Sequence, residues 1–251
     1  MSSDTNFTHE AERIVTTANN RGVALRLIGG LAIRFHCHGP HSAHLRVYHD
    51  IDVFGLTKEL KGIYSVFEEL GYSPNFWYNS KAGATRLQFV REDNSNHVDV
   101  FLDKFRMDHT LDFRKRLPLD SLTIPVTDLL LTKLQIMKLD PKDFKDIVAI
   151  LEDHETKRND DREALNVDYI AKLCSHDWGL DKTIIDNLAK IVKFLEEQPF
   201  ELQDRPALLD KMKLIHESIK TKNKTLMWRL RDVVGERVRW YDVIETGEGE
   251  A

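Results

Sequence analysis

Three aspartates, Asp50, Asp52 and Asp99, lie inside hydrophobic segments that read YHDIDVF and HVDVF. A carboxylate in such a setting is costly unless something compensates its charge. Residues two apart on a strand share a face, so Asp50 and Asp52 are expected to project together while Ile51 and Val53 face a core. Adjacent same-face carboxylates repel unless cations neutralise them. Hard divalent cations take oxygen ligands, and Mg²⁺ held by carboxylates and substrate phosphates is the usual arrangement. Upstream, ALRLIGGLAIRF places Gly29 and Gly30 between a short apolar strand and a helix. A helix N-terminus offers free N–H groups and the positive end of its dipole, and glycine lets the backbone approach an oxyanion closely. A Gly-Gly pair alone is a common turn, and Asp-x-Asp alone can be a solvated strand face. Together with a third in-strand acid they form a phosphate cradle beside an acidic cluster, the equipment of two-metal phosphoryl or nucleotidyl transfer.

Other groups are less specific. His36, His38, His41, His44 and His49 crowd together with Cys37. Zinc ligation is one reading, but the spacing matches no standard finger. The other reading is a loop at the mouth of the active site. Trp77 and Tyr78 fall on an expected strand, and Trp178, Trp228, Trp240 and Tyr241 in the helical part; core packing is their default role and base stacking the alternative. No P-loop or GxGxxG is present.

These residues must be carried by elements that periodicity outlines. Helices are expected over 8–20, from the Gly pair onward, and over LTKELKGIYSVFEELGY. Strands are expected at 24–29, 48–55, 84–90 and 97–103, with a strand and turn over 72–83 and a short last strand at 121–126. VTDLLLTKLQIM and DPKDFKDIVAILEDH then read as helices, the second with Pro141 at its start. Further helices follow near 167–175, 181–197, 204–220 and 223–239. The fold class is α+β: a small mixed sheet with flanking helices over 1–155, then an α-helical domain over 164–245. The charged run 155–163 is the expected boundary, and 246–251 an expected disordered acidic tail.

Composition limits the function classes. The chain has 251 residues, 41% hydrophobic and 31% charged, with a net charge of -5. That balance disfavours nucleic-acid binding by bulk electrostatics. The basic clusters at 220–224 and 229–239 read as solvated helix faces. No apolar run is long enough to span a bilayer, and the polar N-terminus lacks a signal-peptide pattern. Cys37 and Cys174 form no disulfide framework and fit a reducing compartment, so a cytoplasmic location is expected.

The order hydrophobic strand, Gly29-Gly30, helix, Asp50-Ile51-Asp52-Val53, then Val98-Asp99-Val100 resembles the nucleotidyltransferase superfamily with the polymerase-beta-like fold. The resemblance covers about residues 20–155. IPVTDLLLTKLQ and DFKDIVAIL are similar to a helix pair of the stand-alone group that includes AbiEii-type toxins and antibiotic nucleotidyltransferases. The resemblance implies that Asp50 and Asp52 hold one or two Mg²⁺ ions on an NTP such as ATP. Asp99 would bind the catalytic metal and help deprotonate the acceptor hydroxyl. Gly29 and Gly30 would cradle the β- and γ-phosphates, with Arg46 nearby. Lys133 would reach the triphosphate or base, and Asp146 would brace Lys133 or contact the acceptor. The acceptor is left open among small molecule, RNA and protein, and a cognate antitoxin-type partner is possible. The alternative is a non-catalytic nucleotide-binding module of the same fold. Gly30 stands where many members carry Ser, and the stretch to Asp50 is longer than usual.

Overall fold

Alternating apolar residues at 51–55, 86–91 and 97–102 build the centre of one mixed sheet. This computed structural model describes residues 3–38, 50–91, 97–197 and 205–243. The sheet has five strands in the order β1-β2-β5-β4-β3. They are β1 (Arg26–Ile28), β2 (Ile51–Gly55), β3 (Tyr72–Pro74), β4 (Arg86–Arg91) and β5 (His97–Leu102). β2 and β5 pair in parallel, with Asp52 opposite Asp99, and the other pairings are antiparallel.

One face of this sheet is a core face. Ile51, Val53, Leu87, Phe89, Val98 and Val100 are all buried. Helix α3 (Leu60–Glu69) buries Ile63, Val66 and Phe67, and the Phe67 ring stacks on Phe89 with centroids 4.1 Å apart. Helix α1 (Ser3–Asn20) packs against α3. Because the side-chain period of a strand is two, a one-residue slip of β2 or β5 would drive this apolar set into solvent and the aspartates into the core.

The segment 72–83 departs from the expected strand and turn. Pro74 ends β3, the Asn75 side chain accepts from the Tyr78 N–H, and a short helix α4 (Phe76–Ala82) follows. Local N-capping therefore overrides the β preference of Phe76, Trp77 and Tyr78. The stretch 121–126 forms no strand. Thr123 makes an isolated bridge to Leu27, flanked by hydrogen bonds between Leu27 and both Leu122 and Ile124, before helix α5 (Val126–Leu134) begins. Short strands β6 (Lys104–Arg106) and β7 (Thr110–Asp112) pair with each other.

The chain divides into two compact units, Met1–Phe105 with Leu111–Leu129, and Arg106–Thr110 with Leu130–Ala251. The division falls inside α5, well before the 155–163 boundary expected from charge. The reason is that helix α6 (Pro141–Asp153) packs against α9 (Arg205–Thr221), with Lys211 donating to the Leu151 carbonyl. The charged run also opens with β8 (Glu155–Lys157), which pairs in parallel with the buried β9 (Ala164–Asn166). The second unit is otherwise helical, with α7 (Val167–His176), α8 (Trp178–Glu197) and α10 (Leu226–Val234). Asp140 and Asp143 form a reciprocal capping box at the start of α6, where Pro141 sits as its sequence suggests. Among the described residues no helix is long and apolar enough to cross a membrane. The tail 246–251 lies outside the described residues.

The Glu10 carboxylate anchors α1 to the sheet edge. It accepts from Arg13, from the Tyr72 hydroxyl at 2.8 Å and from Arg91 at 3.3 Å. Burial opposes its charge, but the Arg13 and Tyr72 hydrogen bonds and the Arg13 and Arg91 charges outweigh it and hold Glu10 below the usual carboxylate range. A lowered folded-state pKa means that the stabilisation is full above the unfolded value near ~4.3 and is lost as pH falls through the folded value. Glu10→Gln is expected to cost about 1–3 kcal/mol at pH ~7, and the gap to wild type to close on acidification. Urea melts across that pH range check this.

Candidate active site

The sheet face opposite the core carries the acids. Asp52 on β2 and Asp99 on β5 are direct register partners, so their Cα atoms lie about 4.8 Å apart and their side chains leave the sheet together. Asp99 is buried, Asp52 half-buried and Asp50 exposed, just before the first residue of β2. The Asp50 carboxylate lies 3.0 Å from the His97 Nε2, two residues before Asp99 on the same face of β5.

Helix α2 (Gly29–His36) begins directly at the end of β1, where Ile28 pairs with Asp52. Gly29 has φ +76°, and a Cβ there would lie 2.8 Å from the Asp52 Oδ2. Glycine is therefore required twice, for the left-handed backbone and for the approach of the Asp52 carboxylate. Ile28 itself offers no side-chain cap, and the first turn of α2, with Gly29 and Gly30, opens beside the Asp52 carboxylate. The expected phosphate cradle and one of the expected metal ligands meet at this point.

Strand β4 completes the face. Gln88 is the register partner of Asp99, and its side-chain amide lies 3.5 Å from Asp99 Oδ1. The Arg86 guanidinium is 2.8 Å from Asp99 Oδ2 and spans the Phe101 ring at 4.6 Å. Burial opposes the Arg86 charge, but Asp99 and Asp52 outweigh this and raise its pKa above the ordinary arginine value. Asn75 and Asn79 hold α4 onto Gln88 through side-chain and backbone hydrogen bonds. That docking brings Tyr78 to the face: burial raises its phenol pKa, the Arg86 charge opposes the rise and the Asp99 charge adds to it. Arg86, Gln88 and His97 escaped the reading of the sequence, and Tyr78 was read only as a strand aromatic with core packing as its default. The polar alternation of RLQ in β4, and His97 two residues before Asp99, were the signals for the first three.

The donor set fits a hard cation: carboxylate oxygens from neighbouring strands, with no sulfur and one imidazole at the rim. Asp52 and Asp99 would hold such an ion, with Asp50 able to join from the strand mouth.

Lys133, on the second-unit part of α5, is fixed by two acids of α6. Its Nζ lies 2.8 Å from Asp143 Oδ1 and 2.9 Å from Asp146 Oδ2, and its side chain is 11% exposed. Burial opposes the ammonium, but Asp146 and Asp143 outweigh it and raise its pKa. Such a group contributes fully below the unfolded lysine value of about 10.4, hence at neutral pH. Asp146 thus braces Lys133, as the resemblance suggested for it, and Asp143 joins in.

His36 does not belong to a loop at the site mouth. It is the buried last residue of α2, with Nε2 2.6 Å from the Thr123 Oγ1. The ring satisfies a core hydroxyl at the point where α2 meets the 121–124 segment. Arg46, His41, His44 and His49 lie outside the described residues. Phe76 and Trp77 are 77% and 68% exposed, so core packing does not describe them.

No family model and no curated protein matches this chain. Two solved structures are similar to it in fold. One is the solution structure of the antibiotic-resistance factor ANT(2'')-Ia, at TM-score 0.38 and 12% identity over 58% of this chain and 83% of that one. The other is the crystal structure of a "putative nucleotidyltransferase" from H. pylori, at TM-score 0.35 and 11% identity over 88% of this chain and 98% of that one. Likeness at that level carries no argument about chemistry, which rests on the residues of the site.

Lys133→Met would leave Asp143 and Asp146 buried without their cation and is expected to cost about 3–5 kcal/mol in urea unfolding. Arg86→Met removes the guanidinium from the acidic face and is expected to lower the melting temperature in EDTA. Mg²⁺ is expected to restore it, contributing about 2.7 kcal/mol at roughly 100 times its Kd. Melts with EDTA and with Mg²⁺ check this; a variant indifferent to Mg²⁺ contradicts a cation site.

Proposed function

We propose that this protein is a Mg²⁺-dependent nucleotidyltransferase that moves an NMP from an NTP such as ATP to an acceptor hydroxyl. The observation that carries the reading is the meeting of Gly29, at the start of α2, with the Asp52–Asp99 pair. The first-turn N–H groups of α2 receive the triphosphate oxygens. Asp52 and Asp99, with Asp50, hold one or two Mg²⁺ ions, which supply charge neutralisation on the phosphates and a lowered hydroxyl pKa. Asp99 orients the acceptor hydroxyl and accepts its proton. The hydroxyl oxygen bonds to the α-phosphorus, the bond from that phosphorus to the bridging oxygen breaks, and pyrophosphate leaves with the electron pair. Arg86 balances the carboxylates before substrate arrives and then faces the phosphate charge.

The finer assignments follow the same reading. Lys133 and Arg46 are assigned to the nucleotide on the sequence resemblance alone. The net charge of -5 favours a small molecule or protein over RNA as acceptor. The enzyme belongs with the AbiEii-like and antibiotic nucleotidyltransferase group, with a cognate antitoxin-type partner. It works in the cytoplasm, in keeping with the lone buried thiols Cys37 and Cys174.

The Arg86–Asp99 ion pair favours one second reading, a nucleotide-binding module in which a guanidinium stands in the metal's place. Incubation of the protein and Mg²⁺ with α- or γ-labelled NTPs, in an extract of RNA, protein and metabolites, separates the two. Transfer of α-label only is expected, falling by at least about 10³-fold in Asp52→Asn and in Asp99→Asn with the fold retained. Label from the γ position would indicate kinase chemistry, and NTP binding without transfer would favour the module.

A further inference from the structure

Helix α10 is amphipathic in the wrong sense for a helix that covers a core. Its inward side is polar and aromatic. The Trp228 indole N–H donates to Asp181 Oδ2 at 2.9 Å, and Asp232 Oδ1 accepts from the Trp178 indole at 2.6 Å. The Thr225 backbone N–H bonds to the Ser175 carbonyl, and the Lys224 ammonium pairs with Asp181. Its outward side is aliphatic. Leu226, Met227, Leu230 and Val233 are 71%, 71%, 56% and 78% exposed, and Val234 lies beside them. At about 100° per residue, these five side chains occupy an arc of roughly 120°. Contiguous exposed aliphatic surface of this kind marks an interaction site.

The rim identifies the occupant. Arg229 borders the stripe on α10, and Lys222 and Arg237 lie in the segments just before and after the helix; all three are exposed, and none has an ion-pair partner among the described residues. Arg231, at the other border of the stripe, is already engaged, bonding to the Gly235 and Val238 carbonyls and stacking over Trp178. An aliphatic stripe with an unpaired basic rim is complementary to an apolar stripe with an acidic rim. A second copy of this chain would bring Arg229 and Arg237 against the same positive rim across a two-fold axis. An anionic membrane is disfavoured by the net charge of -5 and by a helix of only nine residues. The chain's own segment 244–251 is acidic but supplies only Ile244 and Ala251 as apolar residues, too few to cover five.

We infer that the outward face of α10 is a docking surface for an acidic amphipathic segment of a partner protein. This rests on the helical unit alone and is independent of nucleotidyl transfer. Two helical peptides of about 20 residues test it in the full chain, both with a leucine stripe, one rimmed by glutamates and the other by lysines. The glutamate-rimmed peptide is expected to bind at least about tenfold tighter at low salt, with the order reversed in Arg229→Glu/Arg237→Glu. Leu230→Glu, on an exposed position, is expected to weaken it about tenfold with the circular dichroism unchanged. Any of four results would overturn the inference. They are equal or no binding of the two peptides, a dimer in solution that Leu230→Glu abolishes, preferential binding to phosphatidylglycerol vesicles, and a tenfold gain in peptide affinity on deleting 244–251.

Discussion

Like charges placed side by side are the constraint on which this structure turns. The parallel register of β2 and β5 sets Asp52 beside Asp99, and neither can leave. Their strands are pinned from behind by Ile51, Val53, Val98 and Val100, so any shift that separates the acids unpacks the core. The repulsion is met in part by Arg86 on Asp99 and by the α2 N-terminus, which Gly29 brings against Asp52. A scaffold that needed only stability would have replaced these acids by apolar residues. Their retention, at the start of a helix, is what a polyanionic ligand with its cation would resolve.

The helical unit uses charge differently. Lys133, Asp143 and Asp146 form a buried ion triad in which one ammonium serves two carboxylates, joining α5 to α6. Asp181 serves α10 in the same way, accepting from both Lys224 and Trp228. Burial raises the Asp181 pKa although Lys224 and Trp228 act to lower it, so the partners only partly offset desolvation. Polar groups thus fasten α10 inward and leave its aliphatic side outward, the opposite of the division of labour in α3.

Much of the sheet was legible because its pattern is strict. The strands β1, β2, β4 and β5 and the helices α2, α3, α5 and α6 follow from period-two and period-3.6 apolar spacing, and the cap of α6 from Asp140-Pro141. The acids that β2 and β5 set side by side, Asp52 and Asp99, stood out because a carboxylate within VDV or DIDV breaks that pattern. What escaped was set by tertiary or capping interactions that spacing does not encode. Trp77 and Tyr78 suggested a strand, yet Asn75 caps a helix there and Asn79 ties it to Gln88. The 155–163 run looked like a linker because its charges hide the pairing of Thr156 with Leu165. His36 looked like part of a functional cluster, but its partner Thr123 lies 87 residues away. Arg86 sits on a strand read only for its apolar face.

The most direct test of the account is anomalous diffraction from crystals soaked with Mn²⁺ and an NTP analogue that resists α-phosphate cleavage. The account predicts a Mn²⁺ peak between Asp52 and Asp99, phosphate density at the Gly29–Gly30 N–H groups, and Arg86 moved off Asp99 Oδ2. An intact Arg86–Asp99 pair, with no metal peak at saturating nucleotide, would contradict it.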